Sequence, residues 1–296
     1  MKRIVTTALF LAVLGTFSAF AQFPGFRMRG PSDDDVKRTI EAGDVTMVVD
    51  ATFGGRILSF QYKGAEILSQ SKAPNSFGST FWTSPQSEWN WPPVAEYDNK
   101  EYEVTDNGSS VVLTGQKSER FGYRMTKEFI AGKNCVEVRY SIINESGEER
   151  KVAPWEISRV PGAGEIFFDA DVDAITPADL MPFEDFKGLA WFKYNVSDKQ
   201  RKINADGKGW LAYANNGLLL IKKFADLTPS QPAPAEAEIQ VYCNEGETFI
   251  ELESQGAYTT LKPGEAATYS VTWYLLPVKE GTSQKALAKM VKKAIK

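Results

Sequence analysis

The sequence predicts one large all-β domain, an antiparallel sandwich followed by a short C-terminal helix, and three observations predict it. The first is period-two alternation of apolar and polar residues in short runs from Val45 to Leu276. The second is turn chemistry between those runs. The third is an aromatic content of 12% in a chain of 296 residues, enough to fill a β core and leave rings over for a cleft.

The expected strands lie at Thr46–Asp50, Arg56–Tyr62, Ser110–Thr114, Arg124–Ile130, Cys135–Ile143 and Lys151–Ile157. The same texture returns at Gly188–Tyr194, Gly209–Tyr213, Leu218–Lys222, Glu247–Glu253 and Thr268–Leu276. So many short strands in sequence describe a large sandwich. Asp106-Asn-Gly108, Ala131-Gly132, Glu145-Ser-Gly147, Asn215-Asn-Gly217 and Lys262-Pro-Gly264 separate them and suit tight turns, several of them hairpins. Thr228–Glu236 carries three prolines, cannot pair in a central strand, and reads as an extended surface loop. After Ser283 as N-cap, Leu287, Met290, Val291 and Ala294 share a helical face and lysines crowd the end, the pattern of a docked terminal helix.

Lys2 and Arg3, the apolar run Ile4–Phe20 and the small-residue site Ala19-Phe-Ala21 have the order of a secretory signal. This predicts a signal peptide over residues 1–21, a periplasmic or secreted protein, and no membrane insertion after signal removal, since no later run is long and apolar enough to span a bilayer. Residues 22–43 are expected to be a mobile N-terminal segment, in which Asp33–Asp35 reads as a solvated tail; the domain then covers 44–280 and the helix 281–296. The net charge is −4 with signs interspersed, which gives no electrostatic footprint for nucleic acid. Cys135 and Cys243 sit in strand-like runs, where a disulfide and two small buried thiols are both open.

Function is bounded by an absence: the chain has no histidine. That excludes Ser-His and Cys-His nucleophiles, an imidazole acid or base, and His-ligated metals. No Gly-rich phosphate loop is present either, and no cofactor is expected. The segment Phe77–Pro93 is the richest candidate binding element, with Trp82, Trp89 and Trp91 to stack on sugar faces and Gln86, Glu88 and Asn90 to direct hydrogen bonds. Trp89 and Trp91 share a face if the segment is extended. Asp169, Asp171 and Asp173 share a face on the same condition and form a calcium candidate, although the chain has no EF-hand spacing there.

Several stretches, in order, resemble the galactose mutarotase-like (aldose epimerase-like) proteins. They are Asp50-Ala-Thr-Phe-Gly-Gly-Arg-Ile-Leu-Ser-Phe60 with Lys63–Leu68, Val138–Asn144, Glu238–Asn244, and Leu252-Glu-Ser-Gln255 with Leu261-Lys-Pro-Gly-Glu265 and Thr272-Trp-Tyr-Leu275. The resemblance covers roughly residues 44–277 and implies an antiparallel β-supersandwich with a carbohydrate ligand. In mutarotases a glutamate takes the proton of the anomeric hydroxyl and a histidine protonates the ring oxygen. Glu253 falls on that glutamate, whereas Ala153-Pro-Trp-Glu-Ile157 stands where the histidine is expected. The resemblance therefore makes Glu253 a candidate base, with Glu156 as a carboxyl that burial could keep protonated in place of the acid and Arg159 as a candidate substrate-binding residue of the same region. It adds Arg120, Tyr123 and Trp155 as candidate sugar contacts.

Three readings follow. One is an exported carbohydrate-binding protein on a mutarotase-like fold without its histidines. Another is a carbohydrate epimerase or related sugar-active enzyme with Glu253 as general base and a non-histidine acid. The third is a structural or partner-binding envelope protein.

Overall fold

The structure, a computed structural model, describes residues 36–71 and 76–296. The expected signal peptide and Asp33–Asp35 lie outside the described residues. Two ten-stranded antiparallel sheets build the domain. The first runs, edge to edge, through Lys37–Ala42, Val45–Asp50, Arg56–Tyr62, Ser79–Ser84, Arg150–Pro161, Phe249–Gln255, Ile239–Cys243 and Arg201–Ala205, with Ala65–Glu66 and Thr259–Leu261 as side additions. The second runs through Glu184–Asp185, Leu189–Lys193, Glu165–Asp169, Trp210–Asn215, Leu218–Lys223, Ala266–Pro277, Cys135–Asn144, Tyr123–Ala131, Ser110–Thr114 and Glu103–Asp106.

Alternation decides what lies between the sheets. Along Cys135–Asn144 every second side chain is buried, and Val136, Val138, Tyr140 and Ile142 join Phe60, Phe81, Val271 and Trp273 in one core. Asp106-Asn-Gly108, Ala131-Gly132 and Asn215-Asn-Gly217 close hairpins as expected. Glu145-Ser-Gly147 and Lys262-Pro-Gly264 instead carry the chain from one sheet to the other, because the strands they join pair with different neighbours.

The run Leu218–Ile221 is apolar without alternation because the second sheet is covered on both faces there. Leu218 and Leu220 face the core, while Leu219 and Ile221 join Phe167, Trp191, Trp210 and Ala212 on the outer face. The helix Gln284–Ala294 docks on that outer face through Leu287 and Val291. No helix among the described residues is long and apolar enough to cross a membrane.

Two expectations are corrected and one open alternative is resolved. Lys37–Ala42, inside the segment expected to be mobile, is a strand paired with Val45–Asp50 across a turn at Gly43. Cys135 and Cys243 are both free thiols, held in different sheets. Asp169 ends a strand, and Asp171 caps the short turn Val172–Ala174 by accepting a hydrogen bond from the Asp173 backbone N–H at 3.0 Å. Asp169, Asp171 and Asp173 therefore share no strand face, and no cluster of metal-ligating side chains occurs among the described residues.

Candidate functional site

Five adjacent strands of the first sheet present one continuous face. Register places Trp82 beside Trp155 and Trp155 beside Gln255. The next row across the sheet is Thr80, Ile157, Glu253, Gln240 and Asn204, and the row after it is Arg159, Glu251, Tyr242 and Lys202. Every second residue of each strand belongs to this face, so polar and charged residues at alternate positions meet although far apart in sequence.

A cleft of about 730 Å³ opens over this face. Trp82, Trp155, Arg159, Glu251, Tyr242 and Lys202 line it from the strands, and Gln86, Trp91, Pro92, Pro93, Asp98 and Asn99 from the segment after Ser84. Three cation–carboxylate pairs organise it. Arg56 Nη2 is 3.1 Å from Asp98 Oδ1, Arg159 Nε is 2.9 Å from Glu251 Oε1, and Lys202 Nζ is 2.9 Å from Glu253 Oε2. Indoles complete the network, with Trp82 Nε1 donating to Asp98 Oδ1 at 3.2 Å and Trp155 Nε1 to Glu253 Oε2 at 2.9 Å. Gly54 helps to place Asp98: at φ +67° it packs where a Cβ would come within 2.2 Å of the Asp98 carbonyl oxygen, so only glycine fits.

The tryptophans divide by role. Trp91 is 71% exposed at the cleft rim, with its ring edge-on to Trp82 at 6.2 Å. Trp89 is buried, donates Nε1 to the Thr83 carbonyl at 3.0 Å, and packs against Trp82 and Trp155 from behind. The two rings do not share a face, because a 3-10 turn at Gln86–Glu88 and a left-handed Asn90 (φ 57°) break the extended backbone on which that expectation depended.

Of the expected site residues, Trp82, Gln86, Trp91, Trp155 and Arg159 line the cleft. Glu88, Trp89, Arg120 and Tyr123 do not. Arg120 ties down the loop from outside by donating to the Glu88 and Trp89 carbonyls at 2.9 and 3.3 Å. Tyr123 is buried in the second sheet, stacked at 6.4 Å on Phe121.

Glu156 is also corrected. Next to Trp155 in the strand, it points to the opposite face, into the space between the sheets, where it pairs with Lys222 and accepts hydrogen bonds from Ser79 and Ser158. Glu156 and Arg159 are three residues apart, an odd spacing, and so they cannot share a face.

Glu253 does face the cleft side, but its carboxylate is fully buried under Lys202 and Trp155. Burial pushes it up to about 6, and Lys202 opposes that rise. Lys202 is the group exposed to the cleft, with Nζ 4.8 Å from the centre of the Trp155 ring.

Sequence reasoning missed Lys202, Tyr242, Glu251 and Asp98. Glu251 was within reach, being two residues from Glu253 on the same strand face. Lys202 and Tyr242 enter through strand pairing that no local pattern encodes.

No family model and no curated protein matches the chain. Solved structures do. A candidate aldose 1-epimerase from Escherichia coli K12 superposes with a TM-score of 0.58 at 13% identity, covering 82% of this chain and 99% of that one. A galactose mutarotase-like protein from Lactobacillus casei does so with a TM-score of 0.56 at 12% identity, covering 81% and 100%. A galactose mutarotase-like protein from Clostridium acetobutylicum gives 0.54 at 10% identity, covering 82% and 95%.

The fold is galactose mutarotase-like. Within this mutarotase-like supersandwich, the stretch where the resemblance expects a histidine presents Trp155 to the cleft. An indole N–H donates a hydrogen bond but does not release its proton near neutral pH. Trp155 therefore holds the Glu253 carboxylate in place without supplying an acid.

Proposed function

We propose that the protein is an exported carbohydrate-binding protein whose ligand lies in the cleft over Trp82, Trp155 and Lys202. The observation that carries this reading is Trp91, a large ring exposed at the rim of a cleft whose floor sets paired charges beside Trp82 and Trp155. A flat apolar ring beside directed donors and acceptors suits a sugar, which has apolar faces and a hydroxyl-bearing edge. Arg159, Glu251, Lys202, Gln86 and Asn99 provide those groups. The N-terminal sequence supports export.

In a glycan and monosaccharide binding screen of the mature protein, we expect Trp91→Ala to weaken binding at least about tenfold, as loss of an aromatic anchor does. Its melting temperature should stay close to that of the parent, since the ring is exposed. Binding of no sugar by the parent protein would overturn the proposal and favour a structural or partner-binding role.

An enzymatic reading draws support from one observation, the Lys202–Glu253 pair. Lys202 is a proton donor on the cleft side, with a carboxylate of raised proton affinity one hydrogen bond behind it. It predicts anomer exchange that Glu253→Gln abolishes, measured by polarimetry or NMR on any sugar that binds. Binding without exchange would leave recognition on a mutarotase-like fold as the function.

A further inference from the structure

We infer that the ligand is an oligosaccharide that runs past Trp91, an inference that rests on the carbohydrate reading above. A second chamber of about 670 Å³ adjoins the cleft and shares Gln86, Trp91 and Lys202 with it. The two are one groove, divided by an exposed ring. Each half alone falls within the roughly 300–1,000 Å³ of a complete small-molecule site, so a single sugar would leave one half empty.

The two halves differ in chemistry. The cleft is built on paired charges, whereas the second chamber adds Asn90, Asn204 and Gln240. A carboxamide both donates and accepts, as a sugar hydroxyl does. An exposed ring at Trp91 with polar groups on both sides of it suits stacking by one unit of a chain that continues into both halves.

The far wall is held firmly. Glu236 accepts hydrogen bonds from the Gln86 backbone N–H and from Gln255 Nε2, both at 2.7 Å, and Gln255 Oε1 accepts from the Ala233 backbone N–H at 2.7 Å. The proline-rich loop and the tryptophan segment are thereby fixed to one carboxylate, and the groove between them is a built feature. Asn204 and Glu236 also border a recess of about 300 Å³ beyond it, which continues the path.

The test is calorimetric titration of the mature protein with ladders of one to six residues of β-1,4-glucan, β-1,4-mannan, β-1,4-galactan and α-1,4-glucan. On at least one ladder we expect affinity to rise about tenfold or more from monosaccharide to tetrasaccharide. Asn204→Ala, and independently Asn90→Gly, which removes the carboxamide and keeps the left-handed backbone, should shrink that ratio. Monosaccharide binding with no gain along any ladder overturns the inference and leaves the carbohydrate reading standing. A gain that neither variant reduces overturns the placement of the chain in the second chamber. Failure of every ladder member, monosaccharides included, overturns the carbohydrate reading and this inference with it.

Discussion

Lys222→Met is expected to lower the unfolding free energy by about 3–5 kcal/mol, the cost of leaving one member of a buried ion pair without its partner. The Lys222 ammonium is completely buried between the sheets. It pairs with Glu156, donates to Ser158 Oγ at 3.0 Å and the Leu252 carbonyl at 3.1 Å, and lies 5.2 Å from the centre of the Trp273 ring. Methionine fills most of the space but leaves the buried Glu156 carboxylate without a counter-charge, held only by the serine hydroxyls around it. The double variant Lys222→Met/Glu156→Leu should recover a large part of the loss, because a buried pair and a well-packed apolar pair of similar volume differ far less than either does from an unpaired charge. Urea unfolding of the parent and the variants, with slopes compared, measures this. A single variant as stable as the parent would show that the pair contributes no differential stability.

Conformational stability is expected to pass through a minimum near pH 7. Lys127 is buried, donates to the Gly54 and Gly55 carbonyls at 2.6 and 3.0 Å, and is brought down by burial from 10.5 to about 7. Between pH 7 and its ordinary value the unfolded chain binds this proton and the folded protein does not, so stability rises with pH there and is lost as pH falls through 7. Lys222, also lowered by burial, acts in the same direction.

Two carboxyls act in the opposite sense. Burial raises Glu238 to about 7, against hydrogen bonds from the Leu227 and Gly209 backbone N–H groups, and raises Glu253 to about 6. Their contribution is fully present below about 4.5 and is lost as pH rises through 6 to 7. Each fully titrating group contributes a slope of up to about 1.4 kcal/mol per pH unit. Thermal or urea unfolding at pH 5, 7 and 9 should therefore give the lowest stability at pH 7, and Lys127→Met should flatten the rise from 7 to 9. A steady decline across that range would refute the assignment.

The fold was legible because its causes are local. Alternation along Cys135–Ile143 and Thr268–Leu276 marks strands half-buried on one side, and Asn107-Gly108 or Asn216-Gly217 marks a turn that needs left-handed backbone. Lys37–Ala42 escaped notice because it is a charged edge strand, stabilised by its neighbour rather than by its own pattern. The role of Trp89 was equally hidden. A one-residue change of backbone at Asn90 decides which ring is exposed at the cleft rim and which props the wall.

By itself the sequence determined that this is a large β-sandwich of mutarotase-like fold, that imidazole chemistry is absent, and that the tryptophan segment before Pro92 is a candidate binding element. Period-two burial, the count of histidines and the stiffness of proline are properties of residues and near neighbours. Only the tertiary structure decided that Glu156 belongs to the core and Glu253 to the cleft side, that Lys202 covers Glu253, and that Gln255 and Glu236 close the far wall. Those facts depend on the order and register in which strands from residues 79 to 255 lie side by side, and hydrogen bonding between strands brings together residues that no local pattern connects.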